Sequence, residues 1–207
     1  MRFPRLYLIT DGSASSGDAF LKKIQAALRG GVRLVQLREN LCARELLELA
    51  KSVRELTESF GARLIINDRA DIALLSGADG VHLTSKSYSA TYARELLGKD
   101  GIIGVSTHSI DEAKAAEAAS ADFITFGPVF HTPSKTGYGE PLGVDELKKT
   151  VRSISIPVYG LGGINKGNLR QVLKTGANAA LIGAILNSPD IEASARELLK
   201  EFDSDTE

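Results

Sequence analysis

The chain has 207 residues, 43% of them hydrophobic, and its 25 Lys plus Arg against 26 Asp plus Glu leave a formal net charge of −1. That composition supports a sizeable core and gives no global electrostatic attraction toward nucleic acid or an anionic membrane. The single cysteine, Cys42, excludes an intrachain disulfide and a cysteine-built metal cluster, while no apolar stretch approaches the roughly 20 residues that span a bilayer.

Apolar runs of strand type recur at Leu6–Ile9, Arg33–Leu37, Arg63–Ile66, Gly80–Leu83, Ile102–Gly104, Phe123–Phe126, Pro157–Gly160 and Ala179–Ile182. Amphipathic segments such as Ala43–Phe60 separate them. Helical crossovers imply parallel strands, and nearly continuous apolar runs imply strands covered on both faces. A single-domain (β/α)8 TIM barrel over residues 1–207 is therefore predicted, with an open doubly wound sheet as the competing arrangement. Only the acidic, polar tail at 202–207 is expected to fray. Met1–Thr10 lacks the pattern of a signal peptide, so a cytoplasmic location is expected, with no nucleic-acid or membrane partner. A homodimer is compatible with the sequence, which does not specify one.

Polar residues gather just after the strand runs, the face on which barrel enzymes carry their sites. One group comprises Gln36, Arg38, Asn67, Asp68, His82, Ser106 and His108. Arg38 has the fork geometry to bind an anion, and Asp68 suits either a divalent metal or the cap of the third helix. His82, alternating with Val81 and Leu83, reads as a packed, hydrogen-bonded histidine. His108 lies in Ser106-Thr107-His108-Ser109 and is a candidate general acid or base, while Ser109 and Glu112 form a capping-box pattern. The irregular stretch Gly127–Gly143 carries His131, Thr132 and Lys135; a lysine there is either simply solvated or closes on an anionic substrate. Glycines at Gly162-Gly163 and Gly183-Ala184, after the seventh and eighth runs, suit backbone binding of a phosphate ester, although Gly162-Gly163 would also serve as a plain tight turn.

Together the motifs Val35-Gln36-Leu37-Arg38-Glu39, Ile66-Asn67-Asp68-Arg69-Ala70-Asp71, Gly80-Val81-His82-Leu83, Gly104-Val105-Ser106-Thr107-His108-Ser109, Phe126-Gly127-Pro128-Val129-Phe130 and Gly162-Gly163-Ile164 resemble the thiamine phosphate synthase/TenI family. The likeness runs from Leu6 to about Ile185. It implies a (β/α)8 barrel of thiamine biosynthesis. For a synthase it implies that Gln36 and Arg38 contact hydroxymethylpyrimidine diphosphate, Asn67 and Lys135 the diphosphate, Ser106 the pyrimidine side and Asp68 a Mg2+ ion. Thr132, Gly163, Gly183 and Ala184 would hold thiazole phosphate.

Two departures weigh against that activity. Arg38-Glu39-Asn40 replaces the family's Arg-Glu-Lys, and Thr84-Ser85-Lys86-Ser87-Tyr88-Ser89 replaces a turn that supplies a second carboxylate to Mg2+. The serine-rich turn is similar to that of TenI-type thiazole tautomerases. On this basis the expected activity is a tautomerase that aromatises thiazole phosphate carboxylate by proton transfer through His108, without a cofactor. The alternatives are a Mg2+-dependent thiamine phosphate synthase, for which retention of Asp68 argues, and a non-catalytic regulator that binds thiazole phosphate.

Overall fold

A computed structural model describes residues 3–12, 17–132 and 140–203. Eight parallel strands close into a barrel: β1 Leu6–Ile9, β2 Leu34–Leu37, β3 Arg63–Asn67, β4 Gly80–Leu83, β5 Ile102–Thr107, β6 Phe123–Phe126, β7 Val158–Leu161 and β8 Asn178–Leu181. The open-sheet alternative fails because β1 pairs with β8 as well as with β2, leaving no edge. Between and after the strands lie α1 Gly17–Arg29, α2 Ala43–Ser59, α3 Ala70–Ser76, α4 Ala90–Leu97, α5 Ile110–Ala118, α6 Gly143–Ser153, α7 Leu169–Leu173, α8 Gly183–Leu186 and α9 Ile191–Asp203.

Helical spacing decides which face each helix buries. In α2 the stripe Leu46, Ala50, Val53 and Thr57 turns inward, and burial of side chains the size of Leu46 and Val53 contributes about 1.5–3 kcal/mol each. The helix opens after Cys42, whose backbone N–H donates to the Glu45 carboxylate at 3.3 Å. Phe202, assigned to the frayed tail by sequence, is a buried residue of the last turn of α9, and Arg5 donates to its carbonyl at 2.7 Å. The tail expectation for 204–207 lies outside the described residues.

Two cores result from the alternation of side chains along the strands. Leu6, Leu8, Val35, Leu37, Leu64 and Ile66 face the helices, whereas Tyr7, Ile9, Leu34, Ile65, Ile102, Phe123 and Tyr159 fill the barrel. Tyr7, Phe123 and Tyr159 meet one another with ring centroids 5.3–5.5 Å apart in edge-on contacts, forming an aromatic plug below the carboxyl ends of the strands. This plug leaves the opposite end of the barrel interior to polar groups.

Candidate active site

Strand β5 runs to Thr107, farther than the sequence run ending at Gly104 suggests, so Ser106 is a strand residue with a fixed inward direction. The register aligns Asn67 with His82, His82 with Gly104, and Ser106 with Thr125. Gly104 is required at its position: a Cβ there would lie 2.5 Å from His82 Nδ1 and 2.4 Å from Phe123 Cζ. Its missing side chain provides the seat in which the imidazole lies.

The buried polar network centred on His82 joins five strands. Gln36 Nε2 donates to the Tyr7 hydroxyl at 2.7 Å, Tyr7 lies 3.4 Å from His82 Nδ1, and His82 Nε2 lies 3.0 Å from Ser106 Oγ. Thr125 Oγ1 lies 3.4 Å from both His82 Nε2 and Ser106 Oγ. Burial without a neighbouring carboxylate drives the His82 pKa down to about 3, so the ring is neutral at ordinary pH; burial also pushes the Tyr7 hydroxyl up. The expectation of a packed, hydrogen-bonded His82 agrees with this arrangement. Tyr7 and Thr125 went unsingled in the sequence, although strict alternation in Leu6–Ile9 and Phe123–Phe126 places both inside.

Above the network opens a cavity of about 320 Å³, lined by Gln36, Arg38, Asn67, His82, Ser106 and His108 together with Lys86 and Ser85. Six residues grouped by the sequence are thus brought to one wall-to-wall site. Thr10 holds the Arg38 backbone through its hydroxyl, which accepts from Arg38 N at 2.8 Å. His108 is fixed at both ends: its backbone N–H donates to Glu112 at 2.7 Å, and its Nδ1 lies 2.6 Å from the Gly127 carbonyl. Because a carbonyl only accepts, Nδ1 carries the proton, and in the neutral ring Nε2 is left as an acceptor or base. Ser109 caps α5 as predicted, accepting from Glu112 N at 3.1 Å.

Asp68 departs from one of its two expected roles. The N-cap of α3 is Arg69, without a side-chain cap bond, and Asp68 sits in the left-handed region at φ 61° with its carboxylate accepting a hydrogen bond from Ser87. The turn following His82 therefore reaches back to Asp68. Its shape is set by Thr84, whose N–H donates to Ser87 Oγ at 2.7 Å. No group of three His, Cys, Asp or Glu side chains gathers for a metal among the described residues. A single carboxylate nevertheless suits Mg2+ when phosphate oxygens and water complete its shell, because that ion commonly retains several waters and takes only one or two carboxylates.

A second cavity, of about 640 Å³, adjoins the first and shares Leu161 and Ile182 with it. Its lining includes Thr132, Gly162, Gly163, Gly183, Ala184 and Asn187. Gly163, at φ 65°, passes so close to the preceding loop that a Cβ would lie 2.4 Å from the His131 carbonyl oxygen. Asn165 and Asn168 fix this turn, since both side-chain amides donate to the Gly163 carbonyl, at 3.2 and 3.0 Å. His131 stands exposed at the lip, 3.9 Å from Glu140. Lys135 lies outside the described residues.

Comparison with known proteins assigns these features to a family. Residues 6–185 match the family model described as thiamine monophosphate synthase. A Geobacter sulfurreducens protein that carries the name thiamine-phosphate synthase provisionally is 56% identical over 196 residues, covering 94% of this chain and 92% of the relative. The thiamine-phosphate synthase of Clostridium novyi is 42% identical over 196 residues, covering 94% and 96%. Among solved structures, a thiamine phosphate pyrophosphorylase from Pyrococcus furiosus superposes with a TM-score of 0.88 at 36% identity, covering 98% of this chain and 96% of that one.

Proposed function

Since the chain belongs to the thiamine monophosphate synthase family, we propose that it is a thiamine phosphate synthase, joining hydroxymethylpyrimidine diphosphate to thiazole phosphate and releasing pyrophosphate. The observation that carries this reading is the pair of adjoining cavities, one lined by Arg38, Lys86 and Asn67 and the other by glycine-rich strand ends. A coupling enzyme must hold two anionic substrates side by side. Likeness to relatives named synthase, at 42–56% identity over nearly the whole chain, supports the same conclusion.

This reverses the order of preference drawn from the sequence, where the serine-rich turn favours a tautomerase. Helix capping, which would account for Asp68 without a metal, is not its role, because Arg69 is the N-cap of α3, and relatives named synthase at 42–56% identity outweigh the turn.

In the proposed reaction the polar cavity receives the pyrimidine diphosphate. Gln36 and Ser106 meet the pyrimidine, and Arg38 and Asn67 meet the diphosphate, where a cationic donor stabilises the charge that builds on the departing group, while the exposed Lys86 attracts it through solvent. Asp68, with diphosphate oxygens and water, would hold Mg2+, which supplies further positive charge to that leaving group. Thr132, the Gly163 turn and Gly183-Ala184 hold the thiazole phosphate, and Lys135 completes the diphosphate contacts. Leu161 and Ile182, common to both cavities, present an apolar boundary where the two rings meet and water is displaced. Holding both rings there turns a bimolecular encounter into a reaction between neighbours.

One specific observation keeps a second activity in view. His108, oriented through Nδ1, presents Nε2 as a base of the kind a tautomerase requires. Purified protein given both thiamine precursors with Mg2+, and separately the exocyclic thiazole carboxylate tautomer, distinguishes the two. Thiamine phosphate formation is expected; aromatisation without coupling would overturn the synthase reading in favour of the tautomerase, and inactivity in both assays with thiazole phosphate still bound would favour a regulator.

A further inference from the structure

His82 lines the floor of the polar cavity but is only 2% accessible, and it has no step in the reaction described above. Yet Gly104 is left without a side chain so that this ring fits, and three side-chain oxygens converge on its two nitrogens. Such an arrangement carries information about proton direction. Gln36 Nε2 donates to the Tyr7 oxygen at 2.7 Å, which leaves the Tyr7 proton to point elsewhere, and His82 Nδ1 is the acceptor within reach, at 3.4 Å. With Nδ1 accepting, a neutral imidazole must carry its proton on Nε2. Nε2 lies 3.0 Å from Ser106 Oγ and so donates to it, and Thr125 donates to the same oxygen at 3.4 Å. Ser106 thereby accepts on its buried side. Its own hydroxyl proton is free to turn toward the cavity that Ser106 lines.

We propose that His82 is a positioning residue which, locked as the Nε2–H tautomer by Tyr7, makes Ser106 a hydrogen-bond donor to a ring nitrogen of the bound pyrimidine. Identification of the acceptor as a pyrimidine nitrogen rests on the synthase reading; the direction of the proton chain does not. The same relay fixes Gln36: with Nε2 spent on Tyr7, the amide is held in one orientation and its oxygen is left to accept. One wall of the cavity thus offers an acceptor and another a donor, the complement of an aminopyrimidine edge, whose amino group donates and whose ring nitrogen accepts. Were the Gln36 amide turned over, every bond in the chain would reverse: Tyr7 would donate to Gln36, His82 would carry its proton on Nδ1, and Ser106 would face the ligand as an acceptor.

The two senses of the chain are separable by experiment. The sequence has only three histidines, so nitrogen NMR of histidine-labelled protein, with His131→Gln and His108→Gln used for assignment, reads the His82 tautomer directly in the unmutated enzyme. A neutral Nε2–H ring is expected. An Nδ1–H ring overturns the proposal whether or not the protein couples the two substrates. Kinetics supplies the second arm, with Tyr7→Phe, Ser106→Ala and their combination. Each single change is expected to lower kcat/KM for the pyrimidine diphosphate about tenfold, the scale of one neutral hydrogen bond, while KM for thiazole phosphate stays unchanged. The double variant should lose less than the product of the two single losses, because part of the effect of Tyr7 runs through Ser106 and part through the orientation of Gln36. Losses that multiply, or that fall equally on both substrates, would show a merely structural role and overturn the relay. A Tyr7→Phe protein that fails to fold leaves the tautomer measurement on the unmutated enzyme to decide.

Discussion

The two halves of the barrel mouth recognise anions in different ways. On the β2–β5 side Gln36, Arg38, Asn67, Lys86, Ser106 and His108 project side chains into the polar cavity. On the β7–β8 side the larger cavity is built around Gly162, Gly163, Gly183 and Ala184, residues that contribute backbone and almost no side chain. The first surface is adjustable, since a side chain can be shortened without moving the main chain. The second is rigid in kind, since any added atom occupies the space meant for the ligand or the neighbouring loop.

The largest effect should come from the adjustable side, at its one group proposed to engage a metal. Asp68→Ala is expected to lower kcat for coupling by roughly 10²–10³-fold, the scale of losing one preorganised charge-stabilising group, and to weaken the dependence of rate on Mg2+. Undiminished turnover with an unaltered Mg2+ titration would remove Asp68 from the mechanism. Ser87→Ala, which deletes the hydroxyl that donates to Asp68 and accepts from Thr84, should have a much smaller effect.

The rigid side is probed by adding a single methyl. Gly163→Ala puts a Cβ 2.4 Å from the His131 carbonyl oxygen at φ 65°, so the turn must move. Strain of this kind costs about 1–3 kcal/mol, and KM for thiazole phosphate should rise about tenfold or more while KM for the pyrimidine diphosphate changes little. Equal effects on both substrates would mean that the two cavities are not separate subsites.

Between these lies a prediction about the relay beneath the polar cavity. His82 has a pKa of 6.5 when exposed and about 3 when folded. Its contribution to stability is complete above pH 6.5 and is lost as the pH falls from there through about 3, because the unfolded chain takes up a proton that the buried ring refuses. The loss is at most about 1.4 kcal/mol per pH unit over that window. Denaturant midpoints measured at pH 7 and pH 4.5 should therefore fall farther for the native protein than for His82→Phe. Equal slopes would place the ring in contact with water.

How much of this the sequence discloses also differs between the halves. The adjustable side is legible because reactive residues stand out after apolar runs: Gln36, Arg38, Asn67, Ser106 and His108 all reach one cavity. What escapes is the second layer. Tyr7 looks like any strand aromatic, and Gly104 like any strand glycine, until the register sets one against Gln36 and the other under His82. The Asp68–Ser87 contact is hidden for a similar reason, as 19 positions separate residues that only the neighbouring ends of β3 and β4 bring together. On the rigid side Gly163 is visible as half of a Gly-Gly pair, but its reason is a loop more than thirty residues earlier in the chain, which short-range patterns do not encode.

The smallest effect is expected at Lys86, and it sharpens the contrast most finely. The residue is exposed, lines the polar cavity with Arg38, and sits on a turn held by Thr84, Ser87 and Asp68 rather than by any bond of its own ammonium group. An exposed ammonium attracts a diphosphate through solvent, so its contribution is about 0.2–1 kcal/mol and is screened by salt. Lys86→Ala should accordingly raise KM for the pyrimidine diphosphate only about two- to fivefold at low ionic strength, with kcat unchanged, and the difference should fade toward 1 M salt. A drop in kcat that survives high salt would mean that Lys86 closes directly on the leaving group. In that event the positive charge of this turn would be part of the chemistry instead of part of the approach.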